Sequence, residues 1–350
     1  MKKVLSFLLA LIVFIGCVQK QSNVVEIGAI LPLTGYASFN GNTCKQGLEM
    51  AIQDINKSQN DYVFKVIYED SKSSAKDAFT SYQKLKSTGV DYFIGFGGQF
   101  LLSFAPMTKG EDVVLFAAGT PNMNILDLTD RCFRIYPNVE MVTDKIIAFF
   151  NEEDINDVAI VYLQNEAYAM YGKSLSNKIK DAGKNLVHIE GYDPACRDFK
   201  NIINKLADKH IECVYVAGAG ESTAIFTHQL FANPKTQGVS VIGDMSLSTS
   251  SNLQVIGEIK SPVYIVDNYM TEEFKAKFET MYASTPNAFP VYAYTVPYIL
   301  YDAFKQVDKQ DVKAVYNYIR NTEFNTVAGK ISFDKETAEP NLNLIINTIK

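Results

Sequence analysis

The sequence predicts an α/β protein built from two doubly wound lobes of parallel sheet. Three observations carry this prediction. Short apolar runs alternate with amphipathic helical stretches from residue 24 onward, and the alternation restarts after about residue 139. Buried strand runs separated by helices signal parallel sheets covered on both faces. The chain, at 350 residues, is also longer than one core comfortably serves.

The elements follow in order. VVEIGAIL is a β-rich run, and Leu48, Ala51, Ile52 and Ile55 recur with the spacing of an amphipathic helix. YVFKVIYE is the next strand. Ala75, Ala78, Phe79 and Tyr82 repeat the helical stripe, which Gly89 can end. VDYFIGF and DVVLFAA complete the first series. In the second series DVAIVYL is a strand, SLSNKIKDAG a helix and NLVHIEGY a strand. Phe199, Ile202, Ile203 and Leu206 form a further stripe, with ECVYVAGAG, VSVIGD and SPVYIVDN as strands. A helix-rich third part contains EEFKAKFETMYAS, VYAYTVPYILYDAFKQV and DVKAVYNYIRN, and KISFD and LNLIINTIK are terminal strands. Pro297 is expected to kink the second of these helices or to mark its first turn.

The N-terminus reads as an export signal. A basic MKK precedes the apolar run VLSFLLALIVFIG, which is short for a membrane span. Ile15 and Gly16 before Cys17 resemble a bacterial lipoprotein cleavage site, so residues 1–16 are read as a signal peptide and 17–23 as a lipidated tether. An ordinary signal peptide or an uncleaved anchor is the alternative. Loss of Lys2 and Lys3 would take the formal charge from −6 to −8. An acidic surface argues against nucleic acid as partner. Cys44, Cys132, Cys196 and Cys213 remain, an even number that permits disulfides in an oxidising compartment; free thiols are the other reading.

Chemistry for catalysis is sparse. No GxSxG is present, GAGEST and GFGGQF both fail the GxGxxG pattern, and YGKS lacks the glycine of a phosphate loop. The three histidines, His188, His210 and His228, have no metal-ligand spacing. Glu69 and Asp70 at a strand end read as a cap or turn. No enzyme activity, metal or cofactor is expected.

Ligands of open α/β sheets sit beyond the carboxyl ends of strands, so the loops after the strand runs are the ones to watch. GGQ at 97–99 places Gly98 and Gln99 at a helix start, where backbone N–H groups face anions. AAGT at 117–120 offers small residues and the Thr120 hydroxyl beside exposed backbone. Together they could cradle a carboxylate, although tight strand–helix turns need the same small residues. Asp244, ending VSVIGD, could face an ammonium group or cap a helix. Tyr168 and Tyr171, in the loop after the first strand of the second series, and Phe39, in the first loop of all, could enclose an apolar side chain.

The run IGAILPLTGYASFNGNTCKQGLEMAIQDIN resembles the opening strand, P-x-[ST]-G loop and first helix of the type I periplasmic solute-binding proteins of the branched-chain amino acid family. YEDSKSSAKDAFTSYQKLKSTGVDYFIG is similar to that family's second unit, and AAGT, YGKSL and Gly329 with KISFD add matches. The resemblance implies two lobes joined by three crossovers, near residues 136–140, 265–270 and 326–330, with hinge closure over a ligand. Lobe one would hold 24–138 and 268–327, and lobe two 139–267 and 328–350.

The resemblance also implies roles. The serine that grips the ligand carboxylate falls on Gln99, where the backbone N–H can still act, the hydroxyl is gone, and the larger side chain could shorten the pocket or meet a polar ligand group. The Ser/Ala-x-Thr pair falls on Ala118 and Thr120, with Thr120 meeting carboxylate and ammonium and the Ala118 carbonyl accepting from the ammonium. The second-lobe tyrosine falls on Tyr171, and a further one on Ala219, which loses that contact or widens the pocket. The acid that meets the ammonium is displaced by one residue, with Asp244 the nearest candidate, and the first-lobe aromatic falls on Phe39. The expected function is an extracytoplasmic lipoprotein that binds an amino acid or small carboxylate for an ABC importer. Its partners are that ligand, a membrane permease, and the membrane through the lipid, and the chain is expected to act as a monomer. A lipid-anchored ligand sensor of the same fold is the alternative, and an extracytoplasmic enzyme or a ligand-free lipoprotein are more distant ones.

Overall fold

A computed structural model describes residues 23–121, 124–218 and 220–349. The leader, Cys17 and the tether up to residue 22 lie outside these, as does Ala219. The first lobe runs β1 (Val24–Leu31), α1 (Ser38–Ser58), β2 (Val63–Asp70), α2 (Ala75–Ser87), β3 (Tyr92–Phe96), α3 (Gly98–Phe104), β4 (Val114–Ala118), α4 (Ile125–Leu128) and β5 (Cys132–Ile135). Its five strands are parallel in the order β2-β1-β3-β4-β5.

The second lobe runs α5 (Val139–Glu152), β6 (Asp157–Leu163), α6 (Glu166–Asp181), β7 (Asn185–Tyr192), α7 (Lys200–Ala207), β8 (Cys213–Ala217), α8 (Glu221–Ala232), β9 (Ser240–Asp244), α9 (Ser250–Ile256) and β10 (Val263–Asn268). The chain then returns through α10 (Glu272–Tyr282), α11 (Ala288–Phe304), α12 (Val312–Arg320), β11 (Phe324–Thr326), β12 (Gly329–Phe333) and β13 (Pro340–Asn341), and ends in β14 (Leu344–Ile349). The second sheet has the order β14-β10-β9-β8-β6-β7, parallel except for the antiparallel edge strand β14.

Each sheet is covered on both faces, as its unbroken apolar strands require. Leu48 and Ile55 of α1 and Val291 and Leu300 of α11 bury one face of the first sheet. Tyr82 of α2 and Phe104 of α3 bury the other, their rings stacked 5.2 Å apart. In the second lobe Ile146 and Leu175 from α5 and α6 cover one face, and Phe199 and Phe226 beside and within α7 and α8 cover the other.

The third crossing lies later in the chain than expected. Ile331 and Phe333 alternate onto one face of β12 and pack in the first core, where Phe333 meets Phe133 at 4.6 Å. Ala338 and Leu342 join the same core, so residues 328–342 sit with lobe one. Only β14 enters the second sheet, and the crossing falls between Asn341 and Leu344 instead of at 326–330. The strand signal of KISFD is real, but a strand pattern does not name the sheet it joins.

Two helices are longer than their sequence signals. α6 begins at Glu166, capped by the Asn165 side chain that accepts from the Tyr168 N–H at 2.9 Å, so Tyr168 and Tyr171 are helical and not in a loop. α11 begins at Ala288 and carries Pro297 in its interior, well past its first turn. Phe39 likewise lies in the first turn of α1. All four described cysteines are free thiols. Cys44, Cys132 and Cys213 are buried in different cores, and burial pushes each thiol up to about 12. The histidines are occupied locally: His188 pairs with Glu190 at 2.8 Å, His210 lies 3.5 Å from Asp157, and His228 meets the Ile256 carbonyl at 3.0 Å.

α1 and α11 meet at Gly47, where a Cβ would stand 2.2 Å from the Pro290 carbonyl oxygen. Backbone cannot yield as a flexible side chain can. We predict that Gly47→Ala costs about 1–3 kcal/mol of stability, the usual range for overpacking. Urea unfolding followed by circular dichroism measures it, and an unchanged midpoint would show that the helices part freely.

Candidate functional site

The carboxyl ends of the two sheets face each other across a cavity of about 310 Å³. Both lobes contribute walls. Gly119, Tyr136 and Phe289 come from the first-lobe side, and Tyr168, Tyr171 and Asp244 from the second. The local sequence explains these positions. AAGT ends β4 in a turn at Gly119, with φ +70°, and a Cβ there would strike the Phe96 ring at 2.3 Å. The three-residue spacing of Tyr168 and Tyr171 puts both on one face of α6, with rings 6.3 Å apart. Phe289 opens α11 and stacks on Tyr136 at 5.6 Å.

The expected residues divide into those that line the cavity and those that do not. Tyr171 and Asp244 line it. Ala118 and Thr120 flank the lining Gly119 and are themselves fully buried, and the Thr120 carbonyl accepts from Arg134 Nη1 at 3.0 Å. Gly98 and Gln99 begin α3, one strand further along the sheet edge. There the Gln99 side-chain amide donates to the Tyr36 hydroxyl, and Gln99 does not line the cavity. Phe39 is 72 % exposed on α1 and Tyr36 is 75 % exposed before it, both outside the cavity wall. Asp70 organises that neighbouring loop, accepting from the backbone of Leu33 at 2.9 Å and Thr34 at 3.2 Å and from the Thr34 hydroxyl at 2.6 Å.

Asp244 serves two purposes. One carboxylate oxygen accepts from the Ser246 N–H at 2.9 Å and caps the short turn Met245–Ser248. The same residue faces the cavity. Burial pushes its carboxyl above the ordinary range, the bond from the Ser246 N–H opposes the shift, and the neighbouring Asp267 adds to it. Burial also raises Asp267, against bonds from the Asn268 N–H and the Asn347 side chain and the attraction of Lys275. Desolvation pushes the Tyr171 phenol up to about 12, so it stays neutral at ordinary pH.

Tyr136, Tyr215, Asp267, Asn268 and Phe289 line the cavity without having been singled out in the sequence. Asp267 was within reach, since it ends a strand run of the second series as Asp244 does. Tyr215 was not: it stands in the middle of CVYVA, a run that reads as buried strand throughout. Among the described residues no group of side chains could hold a metal ion, and no helix is long and apolar enough to cross a membrane.

Residues 24–350 match the family described as periplasmic binding protein. The leucine-, isoleucine-, valine-, threonine- and alanine-binding protein of Pseudomonas aeruginosa is 23 % identical over 337 residues, covering 90 % of this chain and 87 % of its own. A leucine-binding protein of Thermotoga maritima superposes with a TM-score of 0.73 at 17 % identity, over 93 % of this chain and 95 % of its own. A solute-binding protein of an ABC transporter from Rhodopseudomonas palustris, solved with 3,4-dihydroxybenzoic acid, superposes with a TM-score of 0.77 at 18 % identity, over 94 % of each chain.

The raised Asp244 carboxyl has a consequence for stability. A folded-state pKa above the unfolded value means that stability is lost as pH rises through the interval between them. We predict that ligand-free Asp244→Asn melts above the parent at pH 7. The difference should shrink as pH falls toward the ordinary carboxylate value of 3.8. Thermal melts of both proteins across that range check it, and a lower, pH-independent melting point for the variant would contradict it.

Proposed function

We propose that this chain, which belongs to the periplasmic binding protein family, is the substrate-binding receptor of an ABC importer and takes an amino acid or related small carboxylate. The family is one of transport receptors and not of enzymes, and it places the protein outside the cytoplasm. The observation that carries the reading is the cavity itself, walled by both lobes at the carboxyl ends of both sheets, with Gly119 on one side and Asp244 opposite.

In this reading the first lobe captures the ligand first. The backbone around Gly119, with Thr120 beside it, receives the carboxylate, and Gly98 and Gln99 extend that surface along the sheet edge. Asp244 receives the ammonium, Tyr171 and Tyr168 close over the remainder, and Phe39 stands on the outer approach. Closure moves the second lobe about the crossovers, and a membrane permease reads the closed form. Cys17 carries the lipid that holds the receptor at the membrane, and the chain acts as a monomer.

Two measurements test these assignments. We predict that Asp244→Asn weakens binding of an α-amino acid by about 1.5–3 kcal/mol, the worth of a hydrogen bond to a charged group. Calorimetric titration reads it, and an unchanged affinity removes the ammonium role. For the anchor, radiolabelled palmitate should enter the parent and fail to enter Cys17→Ala; equal labelling of both would refute lipidation at that residue.

A further inference from the structure

We infer that the ligand of this cleft carries a second positive charge beyond its α-ammonium group: a basic amino acid, with an amine or guanidine on its side chain held by Asp267 and the surrounding tyrosine rings. The inference rests on the receptor reading above.

Two carboxylates line the cavity, Asp244 and Asp267. They end adjacent parallel strands, Asp244 in register with Val266, one residue before Asp267, so both carboxylates come to the carboxyl end of the second sheet. No Lys, Arg or His is among the described lining residues. Arg134 lies close behind the first-lobe wall, but it is fully buried and committed to Glu339 and to the carbonyls of Thr120 and Tyr136. Lys275 draws Asp267 down but does not line the cavity.

A single α-ammonium satisfies one carboxylate. A neutral aliphatic side chain would then close the cleft over the other, leaving a buried carboxylate with no cation beside it in the cavity, which is costly. A second cation on the ligand removes that penalty. The aromatic walls suit the same group. Tyr136, Tyr168, Tyr171 and Tyr215 line the cavity, and a cation over a phenol ring gains most where water is excluded. Their hydroxyls make no hydrogen bond within the described residues. Tyr215, 5 % exposed, lines the cavity from mid-strand. Amine and guanidinium N–H groups are cationic donors for these oxygens and for the Asp267 carboxylate, whose hydrogen bonds, from the Asn268 N–H at 2.7 Å and the Asn347 side chain at 3.4 Å, come from neutral groups. The cavity, about 310 Å³, is of a size for one such molecule.

The test is equilibrium dialysis of the full chain, purified in detergent and stripped of any bound compound by unfolding and refolding. The probes are radiolabelled lysine and arginine, their uncharged counterparts norleucine and citrulline, and leucine and benzoate. Lysine or arginine should bind at least about tenfold more tightly than its uncharged counterpart. Asp267→Asn should bring that preference to about twofold or less, and Asp267→Glu should restore it, which separates loss of charge from loss of fold. If leucine, norleucine or citrulline binds best, the receptor reading stands and the second cation is refuted. If benzoate binds and no amino acid does, the second cation is likewise refuted. If no probe binds refolded protein, the receptor reading falls and this inference with it.

Discussion

The first-lobe side of the hinge depends on one ion pair with a fully buried guanidinium. Arg134, fully buried at the end of β5, meets Glu339, which precedes β13. Arg134 stands just before the outgoing crossover and Glu339 just before the last one, both within lobe one. Asn138 donates to the same carboxylate at 3.2 Å, and the guanidinium also donates to the carbonyls of Thr120 and Tyr136. Removing one partner would leave an uncompensated charge in the interior, at a cost of about 3–5 kcal/mol. The turn after β4, the start of the hinge and the return strand are therefore fixed relative to one another by a single cluster.

The remaining crossover is tied into the same region by neutral bonds. The Tyr292 hydroxyl of α11 donates to the Asn268 side chain at 2.7 Å, within buried surroundings. The Tyr269 N–H donates to the Asn343 carbonyl at 3.0 Å, and the Thr271 N–H to the Val327 carbonyl at 2.9 Å. Arg134 neutralises Glu339 behind the cavity wall, which leaves Asp244 and Asp267 to set the charge inside it. The electrostatics of the cleft thus follow from where the one nearby guanidinium is spent.

The cleft is also asymmetric along the first sheet. Its cavity borders the ends of β4 and β5, through Gly119, Pro121 and Tyr136. The loops after β1 and β3, with Tyr36, Phe39 and Gln99, stand further out, where Tyr36 packs on Phe100 at 6.2 Å. Glycines and a helix start advertise backbone N–H groups in the loop after β3, and small residues do so after β4. The residues nearer the hinge carry no such advertisement, and Tyr136 before Pro137 reads as an ordinary strand end.

Period and punctuation in the sequence determined the two α/β series, the parallel sheets and the strand ends from which Gly119 and Asp244 face the cleft. These are local properties: a buried parallel strand must be apolar throughout, and the chain must turn where small residues and caps permit. Tertiary structure alone decided the rest. It placed β12 in the first lobe through the contact of Phe333 with Phe133, separated the cysteines into different cores, and brought Tyr215 from mid-strand into the cavity wall. It also set Asp267 beside Asp244 and hid Arg134 from both. Each of these is a relation between residues distant in the chain, fixed by packing and by the cost of unpaired charge, and no single stretch of sequence contains it.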